Sequence, residues 1–418
     1  MTRKHPGLHG PESPLGHRRR VAVTGMGVVC PIGNTVAEFR QSLLEGRSGA
    51  GPITIFDPGE LPTRVAAQVR WPVELGRDRK ITFAVEAARQ AVEAAAAGGR
   101  GPRGEGAVSF GLGLELFSLE DMFRYRGGAP LPSTLPERLS FIQSPSDLCV
   151  PMISERFGLR APPLIHVSAC AAGTDAVGAG FRLVSSGRRD WVLAGGTDSM
   201  INPLGVGGFC KIGAMTTRNA EPARACRPFD KSRDGFILGE GAAALVLEPW
   251  DAAVERGATI HAELAGYGNS FDAHGISEPH PEGRGAYEAM RRALEDAGVS
   301  PDEVDCVNAH GTSTPKNDPV ETMAIKRLLG ERAARVPVCA TKSMIGHLIS
   351  AAGAVEAVAA IECMKAGKVH PTLNLEEPDP ACDLDYVPGK AREHRQRVVL
   401  SNSFGFGGQN ASIVIKAP

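Results

Sequence analysis

Short apolar runs rich in Val, Ile and Leu alternate along the chain with segments of helical period. The runs that predict strands are Arg20–Val29, Leu164–Ser168, Trp191–Ala194, Ala243–Leu247, Val304–Asn308, Val336–Ala340, Val398–Asn402 and Ala411–Ile415. Several are continuously apolar rather than alternating, as expected of strands covered on both faces. Helical patterns fall between them at Ile81–Ala97, Ala286–Ala297, Val320–Leu329 and Ala354–Lys365. Strands and helices in this alternation predict an α/β fold with covered sheets.

The 418 residues are enough for two core units in one body. No linker-like stretch interrupts the middle. The expected division is a disordered basic tail over 1–19, one half over 20–262 and a second over 263–418. Gly is abundant (50 residues) and aromatics are few (5%), which points to backbones packed closely rather than cores filled by rings. A net charge of −1 gives no electrostatic case for nucleic acid or for an anionic membrane. No apolar run approaches a membrane span, and Met1–Arg20 has no apolar core of a signal peptide. Arg18, Arg19 and Arg20 end that stretch as a candidate partner contact. The nine cysteines form no CxxC pair and no metal-like spacing with His, so neither a disulfide framework nor a metal site is expected. Scattered cysteines suit a reducing cytoplasm, where the protein is expected to reside.

The sharpest local feature is Leu164–Ala176, read as a buried strand ending at Cys170 and opening into a helix of small residues. Gly173, Gly178 and Gly180 each cost roughly 1 kcal/mol of helix propensity relative to Ala, so close packing must favour them. A cysteine at a helix N-terminus is placed where backbone N–H groups and the helix dipole favour a thiolate. A small buried hydrophobe is the plain alternative for Cys170, and the reading kept for the other eight cysteines.

Three further motifs each follow a strand. Val307–Pro315 carries His310 into a loop with Thr312 and Thr314, whose hydroxyls suit an amide-bearing arm. Ala340–Leu348 carries Lys342 and His347 ahead of a small-residue helix. Ser401–Asn410 holds three glycines between and after Phe404 and Phe406, letting backbone N–H groups approach a ligand. Together these parts suit acyl chemistry. A cysteine takes an acyl group from a thioester, and two neutral imidazoles donate to a malonyl thioester oxygen and stabilise the enolate left by decarboxylation. Backbone N–H groups hold each oxyanion, and every pre-aimed donor contributes roughly 3–4 kcal/mol. Glu321 has two readings: a charge partner for Lys342, or the capping-box acid of a helix with Asp318 as N-cap and Pro319 at the first position.

Ala169–Gly173, Asn308–Thr314, Thr341–His347 and Ser403–Gly408 resemble, in order and spacing, the active-site motifs of β-ketoacyl-acyl carrier protein synthases. The resemblance runs from about Arg20 to the C-terminus, extended by Arg227–Asp230 and Asp234–Gly241. It implies a thiolase-like fold: two similar βα halves in a five-layered α-β-α-β-α body, forming a dimer. It implies that Cys170 is acylated, that His310 and His347 serve decarboxylation and condensation, and that Lys342 holds their network electrostatically. Backbone N–H groups of Cys170 and Phe404 would form the oxyanion hole, with Phe404 gating access. Thr312 and Thr314 would meet the pantetheine arm. In the elongating synthase II subgroup Leu114 gates the acyl chain.

The resemblance implies no cofactor beyond the phosphopantetheine of the acyl carrier protein, which is the expected partner. A homodimer and a ketosynthase/chain-length-factor heterodimer are both open. Because the carrier is acidic, Arg77, Arg79, Lys80 and Lys211 are candidate docking cations. Asn317 replaces the usual glycine before Asp318, an exchange that a left-handed turn would tolerate. The segment Leu116–Pro145 departs from the housekeeping enzyme, and Glu115 and Gln143 fall near the acyl tunnel. Polar groups there disfavour a long saturated chain and lean toward a polyketide or polyene product. A biosynthetic thiolase would carry a second active-site cysteine, which Ser403–Gly408 lacks. A silent partner subunit would lack the nucleophile.

Overall fold

The computed structural model describes residues 18–71, 78–113 and 147–418. Leu114, Glu115, Gln143, Arg77 and the segment 116–145 lie outside the described residues. Ten strands form the main sheet: β1 (Val21–Val29), β2 (Gly106–Leu112), β3 (Leu164–His166), β4 (Trp191–Ser199), β5 (Glu240–Pro249), β6 (Ala262–Phe271), β7 (Cys306–Asn308), β8 (Val338–Cys339), β9 (Val398–Phe404) and β10 (Gln409–Lys416). Their order across the sheet is β8-β7-β9-β10-β6-β1-β5-β4-β2-β3.

That order is a duplication. The first half reads β1-β5-β4-β2-β3, and adding five to each number gives the second, β6-β10-β9-β7-β8. In both halves the first strand runs antiparallel to the last, and the last antiparallel to its other neighbour. The two remaining pairs are parallel. The halves join through a short ladder in which Val21, Ala22 and Val23 of β1 face Leu264, Glu263 and Ala262 of β6.

Helices fill the layers in the same repeating way. Helix α1 (Arg79–Ala95), with α2 (Cys149–Phe157), covers the outer face of the first half. Two central helices, α3 (Ala172–Ser185) and α7 (Ala352–Ala366), pack on each other and on strands of both halves. Helix α4 (Arg284–Ala297), with α5 (Asn317–Leu329) against it, covers the outer face of the second half. A short turn of helix, α6 (Lys342–Ile345), precedes α7. The result is the five-layered α-β-α-β-α body of a thiolase-like fold. Burial explains the sequence patterns: α7 is buried from Ala352 to Met364, as its apolar character on every side requires.

Several expectations change. β3 is an edge strand and not a buried one: Leu164 and Ile165 are 37% and 41% exposed, and Val167 is 65% exposed. β2 falls outside the predicted strands, because Ser109 and Gly111 interrupt its apolar run. Arg18 and Arg19, expected in the tail, are tied to the body, Arg18 to Asp296 (2.6 Å) and the Arg19 backbone to Ser185 (3.0 Å). Arg20 pairs with Glu263 and stacks on Trp250. Among the described residues no helix is long and apolar enough to cross a membrane.

Candidate active site

Cys170 sits in one 3-10 turn, Ala169–Ala171, between β3 and α3. Its counterpart in the second half is the 3-10 turn Ile349–Ala351 before α7. The letters repeat as well: Ala169-Cys170-Ala171-Ala172-Gly173 against Ile349-Ser350-Ala351-Ala352-Gly353. Ser350 is therefore the structural twin of Cys170. Both turns open on a non-glycine residue with left-handed backbone, Ala169 (φ 48°) and Ile349 (φ 44°). Such strain persists only where surrounding packing enforces it. The two turns meet closely. A Cβ on Gly173 would lie 2.8 Å from the Ser350 carbonyl oxygen, and one on Gly353 would lie 1.9 Å from Thr174 Oγ1. This close approach is what the small residues after Cys170 serve.

The second half delivers the remaining groups. His347 is held by its backbone, which pairs with Ile237 and Gly239 (2.8 and 2.9 Å). Its Nε2 lies 3.1 Å from Cys170 Sγ. Its Nδ1 accepts the backbone N–H of Ile349 at 3.1 Å. The ring proton therefore sits on Nε2 and points at the sulfur. His310 follows β7, with its ring 5.4 Å from that of His347 and nearly perpendicular to it. Gly311 has φ 42°, and a Cβ there would lie 2.7 Å from that of Ala340, so glycine is required beside His310. Burial, reinforced by the Lys342 ammonium, holds both imidazoles well below 6.5, and His347 adds to the effect at His310. Both rings are neutral at pH 7.

Lys342 Nζ reaches Glu356 Oε1 at 2.6 Å, with both side chains fully buried. Burial pushes the Glu356 carboxyl up to about 7 against the pull of Lys342. Glu321 is not the capping acid of α5, and although the Lys342 ammonium acts on its carboxyl, the direct ion pair of Lys342 is with Glu356. The two Glu321 oxygens accept the backbone N–H groups of His310 and Gly311, each at 2.8 Å. Helix α5 begins at Asn317, so Asp318 is no N-cap; it is buried and accepts the Phe229 N–H at 2.9 Å. Asn317 is likewise not in a left-handed turn. Its side-chain amide donates to Asp318 (3.2 Å) and Glu321 (3.4 Å), bridging two buried carboxyl groups.

The thiol differs from the sequence reading too. Burial pushes Cys170 up to about 11, outweighing the Phe406 backbone N–H and Lys342, which pull it down. The resting group is a thiol, because these groups do not offset its loss of solvent. The backbone N–H that reaches the sulfur belongs to Phe406, not Phe404. Phe404 is the last residue of β9, paired with Asn410, and its ring lies 5.9 Å from His310. Gly405 releases the chain from the ladder, and Phe406 then packs among the apolar residues around Cys170. Leu114 cannot be placed beside them, since it lies outside the described residues. Thr312 and Thr314 share a hydrogen bond (2.9 Å) and line the same cleft as Cys170, His310 and His347.

Of the candidate docking cations, Arg79 is engaged with buried Glu240 (2.6 Å), and Lys80 is buried beside Asp78 (3.0 Å). Neither is a free surface charge. Lys211 is exposed at the end of the helix Pro203–Lys211. Sequence reading missed Glu356 and Phe406. The signal for Glu356 was an acid, one of two with Glu362, inside a helix otherwise apolar up to Met364. The Cys170 sulfur and the His310 and His347 nitrogens lie within 4.8 Å of one another, a spacing open to a soft metal. A metal on His347 Nε2 would need the ring proton moved to Nδ1, breaking the Ile349 bond. The geometry suits proton-donating imidazoles instead.

Fold and site together define an acyl-transfer enzyme built on a duplicated thiolase-like body. The profile described as "Beta-ketoacyl synthase, N-terminal domain" matches residues 18–253, and "Beta-ketoacyl synthase, C-terminal domain" matches residues 261–376. The chain belongs to the β-ketoacyl synthase family, acyltransferases that form carbon–carbon bonds. It is 42% identical to a 3-oxoacyl-[acyl-carrier-protein] synthase 2 of Coxiella burnetii, covering 95% of this chain and 98% of the relative. It is 43% identical to the protein of that name from Synechocystis, covering 96% and 98%. Among solved structures, a β-ketoacyl synthase from Burkholderia phymatum superposes with TM-score 0.86 at 35% identity, covering 96% of this chain and all of that one. A type II polyketide ketosynthase, solved with its acyl-carrier protein and bound to the hexaketide, gives 0.85 at 32%, with the same coverage.

Proposed function

We propose that this chain is an elongating β-ketoacyl-[acyl-carrier-protein] synthase in which Cys170 is the nucleophile. The observation that carries the reading is the protonated Nε2 of a neutral His347, 3.1 Å from Cys170 Sγ, with neutral His310 beside it. Cys170 attacks an acyl thioester, and the carrier's pantetheine thiol leaves with the proton. A malonyl thioester then binds with its carbonyl oxygen between the His310 and His347 rings. Loss of CO2 leaves an enolate that these rings stabilise as hydrogen-bond donors. The enolate carbon attacks the acyl-Cys170 carbonyl, and the C–S bond breaks, releasing a β-ketoacyl thioester and a Cys170 thiolate that takes up one proton from solvent to restore the thiol. Backbone N–H groups of Cys170 and Phe406 are aimed at the oxyanion of each transfer, each contributing roughly 3–4 kcal/mol. Glu321 positions His310, and burial, reinforced by the Lys342 ammonium that Glu356 anchors, keeps both imidazoles neutral.

The partner is acyl carrier protein, and among the described candidates exposed Lys211, next to Ile212 of the cleft wall, is the docking cation. The substrates travel on phosphopantetheine, so the reaction needs no bound cofactor. The apolar edge strand β3 favours a dimer built by joining two such edges. The test is product formation: acyl carrier and malonyl carrier incubated with the enzyme should give a β-ketoacyl carrier two carbons longer. If only free malonyl decarboxylation products form, the condensing reading is wrong.

A further inference from the structure

The cleft that leads to Cys170 is crossed near Thr312 and Thr314 by one ion pair. Lys316 donates to Glu278, which lies in the loop between β6 and α4. Both side chains line the cleft, and they are 61% and 50% exposed. Among the described residues Lys316 is the only lysine or arginine lining it, and Glu278 and Asp272 are its carboxylates. Asp272 is already engaged, accepting from Asn410 Nδ2 and from the His280 backbone, each at 3.1 Å. The loop carrying Glu278 is fastened to the glycine turn beside Phe406. There the Gly407 N–H donates to Ile276 (2.6 Å) and the Asp272 N–H to Gly408 (2.8 Å). Glu278 is thereby kept over the cleft, facing Lys316.

An exposed ion pair contributes about 0–1 kcal/mol, so a better anion displaces it readily. The arm that must pass here is amide-rich and ends in a phosphodiester. Lys316 lies two and four residues past the hydroxyls of Thr314 and Thr312, on the outer side of the cleft. We propose that Lys316 is the phosphate-binding residue for the phosphopantetheine arm, and that Glu278 occupies it until the arm arrives. This rests on the condensing reading above. Glu278 then sets how strongly an anion must compete for the cleft, giving this enzyme an internal brake on weakly bound thioesters.

The test compares malonyl-phosphopantetheine with malonyl-pantetheine, which differs only by the phosphate. Lys316→Ala should raise KM for the phosphate-bearing thioester roughly tenfold more than for the phosphate-free one. Glu278→Gln should lower KM for the phosphate-bearing thioester severalfold, with the two substrates drawing apart. Equal changes on both substrates would overturn the inference, as would an effect confined to malonyl carrier protein, which would place Lys316 against the carrier's surface. Turnover of malonyl-pantetheine by the native enzyme separates this inference from its premise. If neither thioester reacts, the condensing reading fails and this inference with it.

Discussion

The Ile349 backbone N–H donates to Nδ1 of His347 at 3.1 Å, and this bond decides which proton meets Cys170. With Nδ1 an acceptor, the neutral ring carries its hydrogen on Nε2, 3.1 Å from the sulfur. Ile349 stands at the strained step of the second half's turn, so the duplicated fold sets the tautomer of His347. Replacing His347 by Ala should lower malonyl decarboxylation about 100-fold or more, the cost of losing one pre-aimed donor. A loss under about threefold would remove His347 from the reaction.

Cys170→Ala separates the two half-reactions. Condensation should vanish, because no acyl-enzyme forms. Malonyl decarboxylation should persist through His310 and His347. Loss of both in a folded variant, judged by circular dichroism and thermal melting, would contradict that division.

The buried thiol should be sluggish toward small electrophiles. With Cys170 pushed up to about 11, its alkylation by iodoacetamide should keep rising with pH beyond about pH 9 rather than level off near neutrality. A plateau near pH 7 would mean a resting thiolate.

The histidines give the opposite pH signature. Each is an ordinary base near 6.5 when unfolded and lies well below that when folded. As pH falls below 6.5 the unfolded chain binds protons first, so stability is full above that value and declines beneath it. Lys342→Met removes the cation that helps depress both rings, so the acid limb of the activity profile should move to higher pH. An unmoved limb would show that burial alone sets it. Glu356→Ala leaves the Lys342 ammonium buried without its partner and should destabilise the protein by about 3–5 kcal/mol in denaturant unfolding.

Close contact of the twin turns predicts a third kind of effect. Gly353→Ala would drive a Cβ to 1.9 Å from Thr174 Oγ1 and should cost about 1–3 kcal/mol while slowing acylation of Cys170. Unchanged stability and rate would mean that the turns are not mutually braced.

Much of this was legible in the letters for physical reasons. Doubly covered strands such as β1 and β5 must be apolar throughout, and the central helix α7 must be apolar on every side. The motifs around Cys170, His310 and His347 stand out because polar, reactive groups follow apolar strands abruptly. What escaped depends on three-dimensional neighbours. The edge position of β3 turns on strand order, which its apolar letters do not reveal. Glu321 looks like a capping acid until the backbone of His310 is brought beside it. Phe404 and Phe406 differ only in where β9 ends, and two residues there decide which backbone N–H reaches the Cys170 sulfur. Lys342 finds Glu356 fourteen positions away, on the next helix, because α6 and α7 fold back on each other.

The most direct test is the mass of the intact enzyme after incubation with an acyl carrier protein loaded with a thioester. Native protein should gain one acyl group, mapped to Cys170 and absent from Cys170→Ala, and should lose it on addition of malonyl carrier with release of CO2. A folded enzyme that gains no acyl mass from any carrier, or that holds it at another residue, would contradict the account at its centre.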